Sequence, residues 1–316
     1  MSTKMLNPNP LMLLRIAQGD AFGMAAEYLW FPRDTAVREA VLRFDRYIAH
    51  PTHGHQSGEY TDDTQMSIAV TEVLLEGYLS SFSRLQFANA FVRVFQRNPR
   101  KGYSRDFQDF LESEQARTGP SFLSHVGGTS DKNGAAMRAV PIGVLATVEE
   151  VINAALMNAS ITHDTHWGRF SSVIVALLSH FALYTNRPFS EFSDWCKREN
   201  VGKFYPEFDL TQLQRMMAVV WNGPVHGIRG QCSVAQVTVH AVLHLLTRTD
   251  SLSSSMLQAV RWGGDVDSVM AITWGIQSTR IHEPLPEWLE TGLEDGPFGR
   301  RFLIDLGTQL MGKYSR

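Results

Sequence analysis

The chain has 316 residues, of which 44% are hydrophobic and 19% are charged, and its formal net charge is −3. These values are typical of a globular protein with enough apolar material for a large core, and the small negative charge gives no electrostatic basis for binding nucleic acid or an anionic membrane surface. Cys196 and Cys232 are the only cysteines, which excludes a disulfide framework and a cysteine-type zinc site and fits a cytoplasmic protein in a reducing compartment.

The N-terminal region carries no pattern typical of a targeting or membrane segment. Its apolar stretch, residues 11–17, is short and is interrupted by Arg15, unlike the apolar core of a signal peptide. No run of the sequence approaches the roughly 18 apolar residues of a membrane span. We predict a single domain over residues 1–316, in which residues 1–10 form a short, flexible leader.

The first predicted helix covers residues 11–29. Gly19 and Gly23 lie inside it, although a glycine costs a helix about 1 kcal/mol relative to alanine. Their presence suggests that another backbone or a ligand approaches this helix closely. Asp20 and Glu27 are seven residues apart and therefore lie nearly on one face of it.

Helical periodicity continues through most of the remaining chain, and period-two strands bounded by turns are absent from the sequence. We therefore predict an all-α fold, with residues 31–60 as a long irregular segment. Further helices are predicted over residues 66–79, 84–95, 151–159, 170–184, 210–221, 233–247, 254–262, 268–280 and 300–311.

Three histidines, His50, His53 and His55, lie in the irregular segment. They could bind zinc at this spacing, but no cysteine and no HExxH frame accompanies them. We therefore interpret the segment as a loop that borders the functional site.

Two acidic clusters, residues 61–63 and 265–268, lie directly before predicted helices. Either cluster alone is typical of helix capping, but together with Glu27 they supply five carboxylates. Each pair of carboxylates at about 4 Å repels by roughly 4 kcal/mol at an effective dielectric near 20. Divalent ions would offset this repulsion. Ligands that are all oxygen favour magnesium or manganese over zinc, and the charge count favours two ions.

Residues 127–138 combine small residues with an Asn-Gly pair and run into a predicted helix. Backbone N–H groups in such a segment can cradle an anion. The pattern is neither a Walker loop nor a dinucleotide-binding fingerprint. A plain surface loop therefore remains the alternative.

Five motifs follow one another along residues 14–280. They are Gly19-Asp20-Ala21-Phe22-Gly23 with Glu27, Gly58-x-Tyr60-Thr61-Asp62-Asp63-Thr64, Asn133-Gly134-Ala135-Ala136-Met137-Arg138 with Pro141, Thr162-His163, and Gly264-Asp265-x-Asp267-Ser268. Each motif is modest alone, whereas five in this order form a specific pattern. In sequence and in order they resemble the motifs of the ADP-ribosylglycohydrolase family.

This resemblance implies a multi-helix domain with a binuclear magnesium centre, manganese being a possible substitute. It implies a hydrolase that releases ADP-ribose from a modified protein side chain, in several members arginine. Serine-linked or other ADP-ribosyl substrates, and a non-catalytic ADP-ribose-binding relative, stay open. The implied metal ligands are Thr61, Asp62, Asp63, Asp265, Asp267 and Ser268. The implied catalytic residues are Asp62 and Glu27, the latter as a metal ligand or as an acid/base beside the metals. The implied substrate-binding residues are Ser130, Lys132, Asn133, Gly134, Ala135, Met137 and His163.

Two positions depart from the family pattern. Ser268 stands where threonine is common, which keeps the hydroxyl. Lys132 stands where a glycine often precedes the Asn-Gly pair. If the family's loop requires positive φ at this position, a lysine would give the loop a different conformation. Lys132 could instead contact a phosphate.

Two questions stay open from the sequence. The residue that stacks on adenine could be Tyr60, Tyr103 or Phe107. The pair His163-Asp164 also occurs in HD-type phosphohydrolases, which are all-α metal enzymes. That alternative requires further His and Asp ligands on neighbouring helices, and it leaves both acidic clusters without a role.

Overall fold

A computed structural model confirms the all-α fold. It describes residues 4–29, 33–77, 82–223 and 233–315. Within these ranges the chain forms seventeen α-helices and four short 3₁₀ helices, and the only extended pairings are two isolated bridges. The 3₁₀ helices are Met24–Ala26, Glu114–Ala116, Val140–Val144 and Phe189–Glu191. The α-helices are α1 (Met12–Gly23), α2 (Thr35–Leu42), α3 (Asp62–Glu76), α4 (Arg84–Arg97), α5 (Arg105–Glu112), α6 (Gly119–His125), α7 (Gly134–Met137), α8 (Val148–Thr162), α9 (His166–Tyr184), α10 (Phe192–Arg198), α11 (Val201–Phe204), α12 (Leu210–Ala218), α13 (Ala235–Arg248), α14 (Leu252–Trp262), α15 (Val266–Gln277), α16 (Glu287–Thr291) and α17 (Arg300–Tyr314).

Helices α1 and α15 pack against each other in the core. Every residue of α15 is buried, and so is nearly every residue of α1. Glycines allow the two backbones to touch: a Cβ at Gly19 would collide with the carbonyl of Met270, and one at Gly23 would lie 2.7 Å from Cα of Asp267. The close approach predicted from these glycines is therefore that of another backbone. It places the end of α1 beside the acidic start of α15.

Helix α3 is fixed at both ends by side chains from other helices. The carboxylate of Asp20 on α1 accepts hydrogen bonds of 2.6–3.1 Å from the backbone N–H and the hydroxyl of both Thr61 and Thr64. At the other end, Nζ of Lys313 on α17 donates to three backbone carbonyls. These contacts set the position of the first turn of α3, which carries the first acidic cluster.

The predicted secondary structure on either side of Glu27 differs from the observed one in two places. The predicted helix over residues 11–29 is too long, because α1 ends at Gly23 and a 3₁₀ turn leads to an extended Glu27. The prediction of an irregular segment over residues 31–60 misses α2; residues 30–32 lie outside the described residues. Apolar periodicity carries no information about the tertiary contacts that Glu27 makes with His50 and His53 outside the helix.

The remaining predicted helices are confirmed, with their ends displaced by a few residues. Helix α3 begins earlier than predicted, since Asp20 supplies its cap from another helix, and it ends at Glu76; residues 78–81 lie outside the described residues. The helix predicted to follow the Asn-Gly pair is the short α7, whereas the other helices of four to eight residues, namely α5, α6, α10, α11 and α16, are missing from the prediction. They are too short for helical periodicity to be recognised.

The described part of the predicted leader packs on the body of the protein. Met5 is buried, and the side-chain amide of Asn7 donates to the carbonyls of Ala182 and Thr185. Cys196 is a buried free thiol, whereas Cys232 and residues 1–3 lie outside the described residues. Across the described ranges, no helix combines the length and the apolarity that crossing a membrane requires.

Candidate metal centre

The two acidic clusters and Glu27 border one cavity of about 1270 Å³. The start of α3 contributes Asp62 and Asp63, and the start of α15 contributes the second cluster. The close packing of α1 on α15 brings these helix ends together. Residues that are about 200 positions apart in the sequence therefore form one site, as predicted from their chemistry.

The carboxylates form two groups that share Asp267. In the first, one oxygen from each of Asp20, Asp63 and Asp267 lies within 4.8 Å of the others. In the second, the same holds for Glu27, Asp265 and Asp267. Oδ1 of Asp63 and Oδ1 of Asp267 are buried without a hydrogen-bond partner among the described residues. Buried carboxylate oxygens without donors are unfavourable unless a cation satisfies them. The residues thus fit hard divalent cations.

The electrostatics of the site have the same implication. Burial raises the pKa of Asp63 and of Asp267 well above the ordinary value, and nearby carboxylates raise it further. Burial also raises the pKa of Asp265, and it raises the pKa of Asp20 to about 6 against the lowering effect of its four hydrogen bonds. The carboxylates therefore repel one another in the absence of cations. Bound cations would lower these pKa values again, because positive charge stabilises the ionised carboxylates.

Asp20 belongs to the site although it is not among the ligands predicted from the sequence. The resemblance motif contains it, and its predicted position on one helix face with Glu27 was the available signal, although Glu27 lies beyond the end of α1 in the structure. Its four hydrogen bonds to the start of α3 show why a carboxylate is needed there irrespective of any metal. Asp20 thus connects helix capping with the first carboxylate group.

Asp62 lines the cavity but belongs to neither carboxylate group. Its Oδ1 lies against Gly102, where φ is +118° and a Cβ would collide with it. Burial raises the pKa of Asp62 well above the ordinary value, with Asp20 and Glu27 adding to the effect. Asp62 therefore lies at the cavity wall beside both carboxylate groups, and its predicted roles as metal ligand and catalytic residue stay predictions.

The two hydroxyl residues predicted as ligands differ in position. Thr61 is fully buried and does not line the cavity, and its hydroxyl donates to Asp20 at 2.8 Å. Ser268 lines the cavity, and its hydroxyl lies close enough to the carboxylates of Asp63 and Asp265 to lower the pKa of each. The ligand role stays a prediction for both residues.

Tyr28 is a site residue that was not predicted from the sequence. It lines the cavity, its hydroxyl donates to Oδ2 of Asp265 at 3.3 Å, and its N–H donates to the carbonyl of Gly264 at 2.9 Å. Its φ of +45° is unfavourable for a non-glycine residue by about 1–3 kcal/mol. Tertiary contacts impose this conformation, so no local sequence signal could reveal it.

The segment predicted to bind phosphate also borders the cavity. Ser130, Lys132, Asn133 and Gly134 line it, as does Met137. The side-chain amide of Asn133 donates to Oδ2 of Asp265 at 3.1 Å and to Oγ1 of Thr238 at 3.0 Å. The segment is thereby bound directly to the second acidic cluster.

Two details of this segment bear on its predicted role. The backbone of Lys132 lies outside the left-handed region, so a lysine fits there without strain. Ala135 is fully buried and does not line the cavity, and its carbonyl accepts a hydrogen bond from Asn158. Only the backbone N–H of Ala135 could therefore serve a ligand.

His163 packs behind Gly134 at the cavity wall. A Cβ at Gly134 would lie 2.7 Å from Cε1 of His163, and Nδ1 of His163 lies 2.7 Å from the hydroxyl of Thr162. Burial, together with the charge of Arg138, lowers the pKa of His163 to about 3. The imidazole is therefore neutral at physiological pH.

The contacts of this region do not favour the HD-type alternative. Asp164 pairs with Arg169 at 3.2 Å. Among the residues that the structure describes, neither carboxylate group includes a histidine. The two acidic clusters, which that alternative leaves without a role, line the cavity instead.

The predicted histidine loop borders the site. His53 and His55 line the cavity, and Nδ1 of His53 lies 3.0 Å from Oε2 of Glu27. Burial is the main cause that lowers the pKa of His55. The loop thus contacts one of the predicted catalytic residues.

The candidates for stacking on adenine separate into two classes. Tyr103 and Phe107 line the cavity. Tyr60 does not: its hydroxyl donates to the carbonyl of Phe298, and the guanidinium of Arg100 lies 3.9 Å from its ring centroid. Tyr60 therefore has a packing role, and stacking on adenine stays a prediction for the other two.

Comparisons with known proteins agree with the resemblance found in the motifs. A family model described as ADP-ribosylglycohydrolase matches residues 12–314. An uncharacterized protein of Archaeoglobus fulgidus is 28% identical over 324 residues, which covers 96% of both chains. The ADP-ribosylhydrolase ARH3 of Homo sapiens is 29% identical over 177 residues, 52% of this chain and 47% of that protein. The ARH3 of Xenopus tropicalis is 31% identical over 134 residues, 39% of this chain and 37% of that protein. The match therefore spans less than half the length of these ARH3 proteins.

A solved structure shares the fold over nearly the whole length. It belongs to an "ADP-ribosylglycohydrolase-related protein complex" and is 22% identical in sequence, with a TM-score of 0.71. The similarity covers 98% of both chains.

Proposed function

The chain belongs to the ADP-ribosylglycohydrolase family, and from that premise we propose that it is a metal-dependent hydrolase that removes ADP-ribose from a modified protein side chain. The observation that carries the proposal is the pair of carboxylate groups sharing Asp267 beside a cavity of about 1270 Å³. A cavity of several hundred Å³ is enough for a drug-sized ligand. This one leaves room for ADP-ribose and part of the modified protein.

The donor set is suited to two magnesium ions, with manganese as a substitute, because every ligand is an oxygen. When bound, the ions would polarise the oxygens that they contact and activate water for hydrolysis. The five carboxylates of the two groups and two divalent ions leave a net charge of about −1, and Asp62 beside them adds one more negative charge. The ions would thus remove most of the repulsion between the carboxylates. The residues that would hold the ions are Asp20, Glu27, Asp63, Asp265 and Asp267, with the hydroxyl of Ser268 beside them.

Cleavage of a glycosidic bond requires stabilisation of positive charge at the anomeric carbon and a proton for the leaving group. Carboxylates around the site supply the negative field. Asp62 lines the cavity outside both groups, which leaves it available for proton transfer. Glu27 is the second candidate for that role, or a ligand within its own group.

The remaining predicted residues bind the ADP-ribose portion. Ser130, Lys132 and the backbone of Gly134 face the cavity and offer a hydroxyl, an ammonium and an N–H group to a diphosphate. His163 is neutral and presents an uncharged wall near the ribose. Asn133 orients Asp265, so that substrate and metal sites share one hydrogen-bonded frame.

Arginine is the modified residue that we propose first. Helix α5 lines the cavity with three acidic residues, Asp106, Asp109 and Glu112. Its one basic residue is Arg105, so the net charge of the helix is negative. Such a surface favours the approach of a cationic side chain or a basic peptide. A serine linkage or another ADP-ribosyl linkage would make less use of this charge.

The test compares ADP-ribose release from arginine-linked and serine-linked substrates, with magnesium and with a chelator. We expect release from the arginine linkage that depends on magnesium. Release from serine alone would keep the class of enzyme and overturn the arginine proposal. Binding of free ADP-ribose without release from any linkage would instead favour the non-catalytic relative.

A further inference from the structure

His50 and His53 contact Glu27 from two directions. Nε2 of His50 lies 2.8 Å from the backbone carbonyl of Glu27, and Nδ1 of His53 lies 3.0 Å from its Oε2. The two imidazole rings stack on each other, with centroids 3.9 Å apart and planes inclined by 18°. One histidine thus holds the backbone of Glu27, while the other holds its carboxylate.

The hydrogen bonds of His50 determine its tautomer. Its Nδ1 accepts from the backbone N–H groups of Thr52 and His53 at 3.1 and 3.0 Å. A ring nitrogen that accepts carries no proton, so the proton of the neutral ring is on Nε2. Nε2 therefore donates to the carbonyl of Glu27, and the direction of this bond is fixed by the loop itself.

The segment around Glu27 needs such support. Helix α1 has ended before it, Glu27 is extended, and the following Tyr28 has φ of +45°. Free of tertiary contacts, a segment of this kind samples other conformations, which would displace the carboxylate from Asp265 and Asp267. A displacement of about 1 Å at a catalytic site can lower the rate by about 10²-fold.

We propose that His50 and His53 form a histidine clasp that positions Glu27 for the reaction. The inference rests on the proposed function for its catalytic consequence, because Glu27 is there a metal ligand or the acid/base. His50 and His53 are positioning residues: they act through Glu27. The clasp also gives the histidine loop a role other than the zinc binding considered from its sequence.

Kinetics on the full chain with magnesium test the clasp, using whichever linkage the wild type cleaves. His53→Ala should lower kcat by about ten- to a hundredfold with little change in KM, as expected for loss of a contact behind a site residue. His53→Asn should recover most of kcat, because its amide nitrogen lies where Nδ1 was. His50→Gln should likewise retain function, since its amide replaces Nε2–H. His282→Ala, at an exposed histidine, is the matched control.

A double variant separates positioning from direct catalysis. In a Glu27→Gln background, His53→Ala should cause little further loss, because the residue through which it acts is already altered. An equal loss in both backgrounds would show that His53 acts on its own and would overturn the clasp.

Hydrogen exchange gives a readout that does not depend on activity. His50→Ala should speed amide exchange in residues 24–29 by about tenfold or more, with exchange in α9 unchanged. Unchanged exchange in residues 24–29 would overturn the clasp even if activity fell. An inactive wild type with accelerated exchange in the variant would refute the proposed function and retain the clasp.

Discussion

Nδ2 of Asn133 lies 3.1 Å from Oδ2 of Asp265, so the segment predicted to bind phosphate and the start of α15 are hydrogen-bonded to each other. From the sequence, this segment and the second acidic cluster are predicted to have separate functions, the segment in binding ADP-ribose and the cluster in binding metal. The structure makes Asn133 an orienting contact for a carboxylate of the second group. Substrate affinity and metal affinity should consequently depend on each other.

Asn133→Ala should therefore weaken both affinities. Loss of a contact that orients a metal ligand typically lowers metal affinity by about 10–100-fold, and ADP-ribose should bind less tightly because the loop loses its anchor. Isothermal titration with magnesium and with ADP-ribose measures both. Lys132→Ala is the comparison, with an expected effect on ADP-ribose alone. Unchanged metal affinity in Asn133→Ala would contradict the coupling.

Asp267→Asn should have opposite effects with and without metal. Because Asp267 belongs to both groups, the variant should be more stable than wild type in a chelator, where repulsion dominates. Magnesium or manganese at 100 times the dissociation constant should stabilise the wild type by about 2.7 kcal/mol, and the variant much less. Melting curves with metal and with chelator measure this. Asp305→Asn, at an exposed site on α17, should behave like wild type, and a wild type insensitive to both metals would refute the metal centre.

Gly134→Ala should destabilise the protein by about 1–3 kcal/mol, the usual range for overpacking, because its Cβ would press on the ring of His163. Adding His163→Ala removes the ring, so the double variant should lose less than the sum of the single losses. Urea unfolding of the four proteins measures the cycle. Additive losses would show that the two residues do not contact each other.

His163 should make stability depend on pH in a defined direction. Its pKa is lowered to about 3 in the folded chain, against about 6.5 when unfolded, so the unfolded state binds the extra proton between these values. The stability from a neutral His163 is complete above pH 6.5 and is lost as pH falls, by about 2 kcal/mol at pH 5.

His163→Gln isolates this effect, since all other titrating groups are common to both proteins. Urea unfolding at pH 7 and pH 5 should show a smaller loss in the variant than in wild type. An equal loss would mean that His163 is not buried in its neutral form.

Asp62→Asn and Glu27→Gln should each lower turnover while leaving ADP-ribose affinity largely intact. Removal of a general acid or base typically costs about 10² to 10⁴ in rate. Turnover on the cleaved linkage and titration with ADP-ribose measure the two quantities. Full activity in both variants would exclude the assigned roles.

The sequence by itself determined the fold class, the family and the convergence of the two acidic clusters. Helical periodicity depends on the local order of side chains. The convergence of the acidic clusters follows from charge, because buried carboxylates repel one another unless they share cations. These facts are local or chemical and can be read along the chain. The single-domain organisation, the cytoplasmic location and the individual site roles stay predictions.

Only the tertiary structure decided the rest. Asp20 joins a carboxylate group because α1 packs on α15 through Gly19 and Gly23, and Tyr28 adopts its positive φ because Gly264 and Asp265 hold it. The contact of His50 with the carbonyl of Glu27 likewise joins residues on either side of α2. Contacts of this kind arise when helix ends meet in space, and periodicity within one segment carries no information about where another segment lies.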